Sequence, residues 1–466
     1  MTYDNDFEAS SFSFSELDVS ELLKDLVSIC VRTGEKGGVD DIAVMGESYR
    51  NNQVRFARNE VSIVKQWNGL NLQVFVSFGR KIAMTQINQI DRDVVRGTVE
   101  KLVVLCKAMK ENEGYFGIAE GPFSYDPIPK TFDPKICDLR EKAIDLVEGG
   151  INSALEEGAK RAAGVFYFGE RYYFIQTNRG VEKGTGGTFL RFTIRAFVDE
   201  LSSGQGINVS CCLEDFDAEK AGVEAGQIAK LAVNSEESSP GKYDLLLNPT
   251  VGATFLGATV QAANPFWIES GLSWLGGKVG EKIGSGKITA YDDGRLENGL
   301  NSMIFDDEGV PTQKTTIIEE GILKGLIHNT STAKRYNAKS TGNAGIISPQ
   351  PSNIVFEPGD YSFEELLNET GNNPMLYITS TRYTRFMNRV EGTFSSIPRD
   401  GMFLIKNGEI WKPIRGLRVS DNILNIFKNT VALSKERQQI KWWEVTTPIV
   451  SPFFLVRDCM MSKPTK

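Results

Sequence analysis

The sequence predicts an α+β protein of two domains, and three observations support this prediction. The 466 residues are too many for one compact core. Helical and strand patterns occur in both halves without the regular strand–helix–strand alternation of a parallel sheet. The stretch SEESSPGK at 235–242 has no hydrophobic residue, as is typical of a linker. We therefore predict an N-terminal domain over 1–234, with helices and an antiparallel sheet, and a β-rich C-terminal domain with a few helices over 235–466.

The first half begins with an amphipathic helix. In LDVSELLKDLVSICVRT, 17–33, the apolar residues fall on one helical face, and Gly34 follows to end the helix. Alternating apolar residues over 54–87 then predict an antiparallel meander, with turn signals at Arg58–Glu60, Asn68–Gly69 and Gly79–Arg80. Further helices are predicted near 91–110, 134–158 and 217–233, and further strands at 164–178 and 187–198.

The second half has short strands and strong turn signals. KNGEIW at 406–411 predicts a hairpin, because Asn-Gly suits a type I′ turn between two strands. Glu320–Gly321 lies between two further apolar stretches and predicts another hairpin. The stretch 248–264, NPTVGATFLGATVQAAN, predicts a helix with apolar groups on nearly every side, as in a buried helix.

Composition excludes several function classes. A formal net charge of −8 disfavours nucleic acid or an anionic membrane as the main partner. The apolar runs are too short to cross a bilayer, and the N-terminal stretch does not have the pattern of a signal peptide. The six cysteines are scattered without a CxxC pair, which indicates a reduced, cytoplasmic environment. His328 is the one histidine, so a histidine-rich metal site is excluded.

The acidic stretch FDDEGVPTQKTTIIEEGILKG, 305–325, is the first candidate site. Asp306, Asp307 and Glu308 are interpreted as turn residues of a hairpin, because Asp, Glu, Gly and Pro suit such turns. A cation site would need further oxygen ligands, and the spacing of a calcium-binding loop is absent. These carboxylates therefore do not identify an enzyme.

Other motifs give weaker signals. KIGSGKITA, 282–290, lacks the spacing of a phosphate-binding loop, and no nucleophile-elbow GxSxG supports a serine hydrolase. Cys211–Cys212 is interpreted as core filling. TRYTRFMNR, 381–389, interleaves arginines with aromatic residues. With a net charge of −8, we expect this cluster to face an acidic partner, a ligand carboxylate or solvent rather than nucleic acid.

Five stretches of the second half occur in the order found in the TldD/PmbA family, which the chain resembles. They are SGLSWLGGKVGEKI at 270–283, the 305–325 hairpin, STGNA at 340–344, NRVEGTFS at 388–395 and LIKNGEIWKPIRG at 404–416. The first half fits the family more loosely. The resemblance implies a metallopeptidase-like protein of one of two branches. TldD-like members carry a zinc-binding HExxxH helix and a cysteine near the C-terminus, whereas PmbA/TldE-like members lack these ligands and pair with the first kind.

The resemblance places the zinc-motif positions on the 248–264 helix, at Leu256, Gly257 and Gln261. Between Asn248 and Asn264 the sequence contains no His, Cys, Asp or Glu, and Cys459 falls later than the family's cysteine-bearing loop. The expectation is therefore a PmbA/TldE-like chain with no catalytic residue, no metal ligand and no cofactor of its own.

The resemblance implies a non-catalytic subunit of a cytoplasmic TldD-type zinc metallopeptidase that acts on unfolded peptides. Its partner would be a TldD-like subunit in a heterodimer, or a second copy of itself in a homodimer. One alternative is a homodimeric peptide-binding or regulatory protein without a peptidase partner, and another is a hydrolase with an unrecognised centre. Candidate peptide- or partner-binding residues are Thr341, Gly342, Asn343, Arg382, Arg385 and Arg389.

Overall fold

The computed structural model describes residues 16–464, with side chains from residue 19. The helices are α1 (Glu16–Lys36), α2 (Arg92–Ala108), α3 (Pro134–Cys137), α4 (Lys142–Glu156), α5 (Ala218–Leu231), α6 (Pro249–Leu256), α7 (Ala258–Ala262), α8 (Pro265–Glu269), α9 (Thr330–Arg335), α10 (Phe363–Asn368) and α11 (Ile423–Lys428), with a 3₁₀ turn at Leu213–Asp215. The strands are β1 (Asp41–Ala57), β2 (Glu60–Phe78), β3 (Lys81–Ile87), β4 (Arg161–Thr177), β5 (Glu182–Phe197), β6 (Ser203–Ser210), β7 (Glu236–Glu237), β8 (Gly241–Leu247), β9 (Ala290–Asp293), β10 (Lys314–Glu319), β11 (Ile322–Leu323), β12 (Ile354–Phe356), β13 (Met375–Asn388), β14 (Thr393–Lys406), β15 (Glu409–Arg415), β16 (Arg418–Asn422), β17 (Thr430–Trp442) and β18 (Val445–Ser462).

The first sheet is antiparallel and has the strand order β3-β2-β1-β4-β5-β6. The predicted meander is confirmed, with Arg58 and Asn59 at positive φ between β1 and β2. The turn expected at Asn68–Gly69 was wrong, because β2 continues through it. Gly69 pairs with Tyr49, and a Cβ on Gly69 would lie 2.2 Å from Tyr49 Cζ. The glycine therefore makes room for a cross-strand ring.

Two pairs of helices cover one face of this sheet. α1 and α2 pack on β1–β3, and α4 and α5 pack on the half that contains β4–β6. The contact between α4 and α5 depends on Gly222, since a Cβ there would lie 2.1 Å from the carbonyl oxygen of Gly150. The sequence did not predict β6, which carries Gly204 and Gly206 against α5.

The second sheet has the order β11-β10-β9-β12-β18-β8-β13-β14-β15-β7, with β16 and β17 attached beside β14 and β18. The fold is therefore α+β, as predicted. Both hairpins are confirmed: Asn407 and Gly408 connect β14 to β15 at positive φ, and Glu320 and Gly321 connect β10 to β11. The six-stranded sheet ends before residue 211 and the larger one begins at residue 236, although the domain boundary at 234/235 itself stays a prediction.

The predicted buried helix at 248–264 is two short helices. All eight residues of α6 are buried, and α6 packs against β18 and β13. Gly257 separates α6 from α7 while keeping a helical φ of −60°. The interruption falls on the residue type with the lowest helix propensity after proline. The segment is therefore an interrupted helical rod inside the C-terminal core.

The two sheets are connected by a buried acid. Asp400, a residue of β14, forms an ion pair with Arg195 of β5. It also accepts hydrogen bonds from Ser203 Oγ and Ser380 Oγ, each at 2.8 Å.

None of the helices within 16–464 combines the length and the apolar character that a bilayer crossing requires.

Candidate functional site

A cleft of about 380 Å³ opens beside α6 and α7, where the family resemblance places its metal motif. The helical side carries small or uncharged groups, from Ala253, Thr254, Gly257, Ala258, Gln261 and Ala262. The remaining lining comes from Trp267, Leu272, Trp274, Pro351, Thr384, Phe386, Arg389, Trp443, Glu444, Val445, Thr446, Thr447 and Ile449. The cleft thus joins the helical rod, the end of β13 and the turn between β17 and β18.

Aromatic rings form much of the cleft wall. Trp274 and Phe386 are stacked, with centroids 5.0 Å apart and an interplanar angle of 19°. Arg389 extends over the Trp267 ring, with its guanidinium carbon 5.0 Å from the centroid. Trp443 is 57% exposed and contacts Tyr383 edge-on at 6.0 Å. Such flat faces can hold side chains or peptide planes of a ligand without strict sequence preference.

Glu444 is the acidic residue of the cleft lining. Its carboxylate accepts hydrogen bonds from the backbone N–H of Tyr383 and from Thr384 Oγ1 at 3.4 Å. Burial raises the pKa of Glu444, and the hydrogen bonds from Tyr383 and Thr384 oppose this rise. The Glu444 carboxylate therefore ties the β17–β18 turn, which carries Trp443, to β13 through hydrogen bonds.

The residues of this cleft do not fit a zinc ion. Zinc in proteins takes three or four ligands from cysteine, histidine and carboxylate side chains, whereas the lining supplies one carboxylate, one amide and hydroxyl groups. Of the three aligned positions, Gly257 and Gln261 line the cleft and Leu256 is buried behind it. Within the described residues, no group of three or more His, Cys, Asp or Glu side chains could hold a metal. That the chain binds no zinc stays a prediction.

The histidine and the C-terminal cysteine lie elsewhere. His328 is buried, with Nδ1 3.2 Å from Thr332 Oγ1. Burial, and then the nearby charge of Arg335, lowers the pKa of His328 to about 4. Cys459 is buried in β18 opposite Tyr243, and burial raises the pKa of its thiol well above the ordinary value. Neither side chain lines the cleft.

The three candidate arginines do not form one patch. Arg382 faces inward on β13 and is partly buried, and burial lowers its pKa while the charge of Asp400 opposes the decrease. Arg385 is exposed on the opposite face of the strand. Arg389 follows the end of β13 and lines the cleft. The alternation of side chains along a strand separates residues that are neighbours in sequence.

The Thr341–Gly342–Asn343 segment does not line the cleft but lies beyond Pro351, which borders it. Asn343 Nδ2 donates to Asp292 Oδ2 at 2.6 Å, and Thr341 Oγ1 donates to Asn343 Oδ1 at 2.7 Å. Gly342 has a φ of 66°, and a Cβ there would lie 2.5 Å from a backbone oxygen. Gly342 and Asn343 line a second cavity, of about 440 Å³, which shares the lining residue Pro351 with the cleft.

The acids of the 305–325 stretch form a turn, as expected, but they are not at an open surface. Asp306 Oδ1 accepts hydrogen bonds from the N–H groups of Glu308 at 3.0 Å and Val310 at 2.9 Å. Asp306 is 5% exposed and Glu308 is 1% exposed. Burial raises the pKa of both carboxyl groups, and it raises the pKa of Asp307 to about 6. This burial was not predicted from the sequence.

The sequence reasoning missed the tryptophans and Glu444. Three of the six tryptophans of the chain, Trp267, Trp274 and Trp443, line the cleft. The run Trp442–Trp443–Glu444 was the available signal, because adjacent tryptophans in an alternating strand cannot both face a core.

Comparison with known proteins finds sequence similarity to metallopeptidases, mainly in the second half of the chain. Residues 240–463 match the PmbA/TldA metallopeptidase C-terminal domain. A metalloprotease of Methanocaldococcus jannaschii is 32% identical over 220 residues, covering 46% of this chain and 48% of that protein. An uncharacterized protein of the same organism is 25% identical over 423 residues, covering 88% of this chain and 95% of that protein. The matched region thus spans about half the length of the metalloprotease relatives.

A solved structure extends the similarity to both halves. TldE from Thermococcus kodakarensis superimposes with a TM-score of 0.81 at 22% identity, covering 94% of this chain and 100% of that one. At that identity the similarity shows the fold. Fold and comparisons together define a metallopeptidase-like α+β protein. Within that class, residues 240–463 carry the C-terminal domain of the PmbA/TldD family, as the second half of the sequence predicted.

Proposed function

We propose that the chain is a non-catalytic, TldE-like subunit of a cytoplasmic peptidase complex, in which a TldD-like chain supplies zinc and the catalytic base. The observation that supports this proposal is the cleft beside α6 and α7. It lies where the resemblance places the family's metal motif, yet its helical side carries alanine, threonine, glycine and glutamine. A chain with this lining contributes binding surface rather than chemistry.

The cleft suits part of an unfolded peptide. Its volume of about 380 Å³ is in the range of ligand sites that are mainly apolar with a few polar groups. The rings of Trp267 and Phe386 offer stacking surfaces, with the buried Trp274 stacked on Phe386, and Arg389 offers a cation to a carboxylate. We therefore assign peptide contact to the cleft and not to Arg385, which faces away from it.

Exposed apolar side chains near the cleft support the proposal that a partner chain binds there. Met387 is 75% exposed, Val390 58%, Trp443 57% and Tyr383 52%. Large apolar groups that cluster on a surface mark interaction sites more often than isolated ones do. Of these four residues, Trp443 lines the cleft and contacts Tyr383, whereas Tyr383, Met387 and Val390 are outside the cleft lining. A partner that covers this patch would therefore lie next to the cleft.

Size-exclusion chromatography with a TldD-like chain from the same organism tests this assignment. The wild type should co-elute with that chain, and Met387→Glu should weaken the complex. Val104→Glu is the matched control, since Val104 is 69% exposed but lies on α2 of the first half. If the wild type forms no complex, the subunit proposal fails.

A second candidate function rests on the same patch. A homodimer would cover it with a second copy, giving a peptide-binding protein without a peptidase partner. A dimer of the chain alone that is lost in Met387→Glu, with no TldD-like partner bound, favours this function. The hydrolase alternative gains no support, because burial raises the pKa of Cys211 to about 12.

A further inference from the structure

The second cavity, of about 440 Å³, concentrates positive charge between the two sheets. Arg171 of β4 and Arg191 of β5 line it on the side of the first sheet, and Lys441 of β17 lines it from the second. The two arginines flank Phe189, with guanidinium carbons 5.0 and 5.2 Å from its centroid. Lys441 Nζ donates to Asn301 Oδ1 at 2.9 Å. Strands distant in sequence thus bring three cations to one cavity.

These cations have little compensation from acidic side chains. Among the described residues, neither Arg191 nor Lys441 takes part in an ion pair, and the Nε atoms of Arg171 and Arg191 are buried without hydrogen-bond partners. Arg171 has a long ion pair with Glu47, 3.8 Å from its Nε and beyond hydrogen-bond distance, and one of its Nη atoms donates to the Tyr173 hydroxyl at 3.4 Å. Burial, followed by the charges of Arg191 and Arg171, lowers the pKa of Lys441 to about 7.

Two acids, Asp306 and Asp307, also line the cavity, but their carboxyl groups accept hydrogen bonds from backbone N–H groups. Asp306 accepts hydrogen bonds from the N–H groups of Glu308 and Val310 through Oδ1, and from Ala344 through Oδ2 at 2.8 Å. Asp307 accepts one from the backbone of Ile346. Neither forms an ion pair with the three cations. An anion from outside would therefore find donors that the protein does not satisfy itself.

We propose that Arg171, Arg191 and Lys441 form a binding site for a carboxylate. Guanidinium groups match carboxylate oxygens in geometry, and desolvated cations held together by the fold gain from a shared anion. The cavity is large enough for a small ligand or a chain end. Pro351 lines both this cavity and the cleft. The carboxylate comes either from a free small acid or, if the proposed peptide-binding function holds, from a peptide C-terminus.

Calorimetric binding to the chain alone tests the site, with glutarate, an N-acetylated alanine tripeptide and the same tripeptide with a C-terminal amide as probes. We expect a carboxylate probe to bind and the amide to bind at least about tenfold more weakly. Binding of glutarate alone assigns the site to free acids and leaves the peptide-binding function unsupported. Binding of the tripeptide acid supports both the carboxylate site and the peptide-binding function.

Variants make the test specific. Lys441→Gln and Arg191→Gln should each weaken carboxylate binding by at least about tenfold, because each removes a charged partner. Lys435→Gln should bind as the wild type does, since Lys435 is exposed on the same strand, β17. Carboxylates should raise the melting temperature of the wild type and not of Lys441→Gln. If Lys441→Gln or Arg191→Gln does not fold, Arg171→Gln is measured in its place.

The proposal is overturned if neither carboxylate probe binds the wild type at about 10 mM, a concentration that would reveal even weak sites. It is also overturned if the acid and the amide bind equally, or if Lys441→Gln and Arg191→Gln bind carboxylates as Lys435→Gln does. These measurements involve no partner and no peptidase activity. A failure of the carboxylate site is thus distinguishable from a failure of the subunit proposal.

Discussion

The guanidinium carbon of Arg389 lies 5.0 Å from the centroid of the Trp267 ring, which places a cation at the wall of the cleft beside α6 and α7. Trp267 follows directly from the helical rod, and Arg389 follows β13. The pair therefore connects the two segments that enclose the cleft, and it retains donors that a ligand carboxylate can use.

The first prediction concerns this arginine. Arg389→Gln should weaken binding of a peptide that carries an acidic residue by about tenfold, because a charge-assisted hydrogen bond is lost. Arg385→Gln is the matched control and should leave binding unchanged, since Arg385 is exposed on the opposite face of β13. Fluorescence anisotropy of a labelled peptide measures both. Equal effects of the two variants would place the peptide outside the cleft.

The second prediction concerns metal content. The cleft lining offers one carboxylate and one amide, so the purified chain should contain well under one zinc per molecule. Elemental analysis after dialysis against a weak chelator measures the ratio. Retention of one zinc per chain would contradict the assignment to the TldE-like branch.

The third prediction concerns the buried acids. Burial, followed by the charge of Asp306, raises the pKa of Glu308, so the folded protein binds a proton there more tightly than the unfolded chain does. This contribution to stability is present below the ordinary glutamate pKa and is lost as pH rises through the higher folded-state pKa. Glu308→Gln should therefore be more stable than the wild type at about pH 8, on the order of 1–3 kcal/mol, and similar near pH 4.

Urea unfolding at several pH values measures this difference. Glu320→Gln is the control from the same stretch, because Glu320 is exposed at the β10–β11 turn. It should leave the pH dependence unchanged. If Glu308→Gln unfolds more easily than the wild type at both pH values, the carboxylate form of Glu308 stabilises the fold and our interpretation of its burial is wrong.

The fourth prediction compares two helical glycines. Gly222→Ala should destabilise the protein by about 2 kcal/mol or more, because its Cβ would lie 2.1 Å from the Gly150 carbonyl oxygen and separate α4 from α5. Gly97→Ala on α2 has no atom within 4 Å of its Cβ and should stabilise by up to about 1 kcal/mol. Thermal unfolding of the two variants measures the opposite signs. Stabilisation by Gly222→Ala would show that the helices separate at little cost.

Local signals were sufficient where a turn or a periodic pattern decides the structure. The Asn407–Gly408 turn and the β1–β3 meander are examples, since both depend on neighbours in sequence. β6 was not predicted because Gly204 and Gly206 lower strand propensity, and they are explained only by the approach of α5. The Asn68–Gly69 signal was misleading because the ring of Tyr49, across the strand pair, requires the glycine.

The candidate site was less predictable than the fold. The apolar character of α6 could be read directly, because burial of an entire helix leaves an unmistakable composition. The separation of Arg382 from Arg389 depends on strand geometry, and the burial of Glu308 depends on contacts between distant segments. The cavity with Arg171, Arg191 and Lys441 has no local signature, since its cations come from three strands.

Peptide cleavage by the reconstituted pair is the decisive test of the proposal that this chain is a non-catalytic subunit. The chain alone, a TldD-like chain from the same organism alone, their mixture, and a mixture in which that chain's HExxxH glutamate is replaced by glutamine are compared on an unfolded peptide. We expect no cleavage by this chain alone, more cleavage by the mixture than by the TldD-like chain alone, and loss of cleavage with the glutamine variant. Cleavage by this chain alone, or by the mixture that contains the glutamine variant, would contradict the proposal.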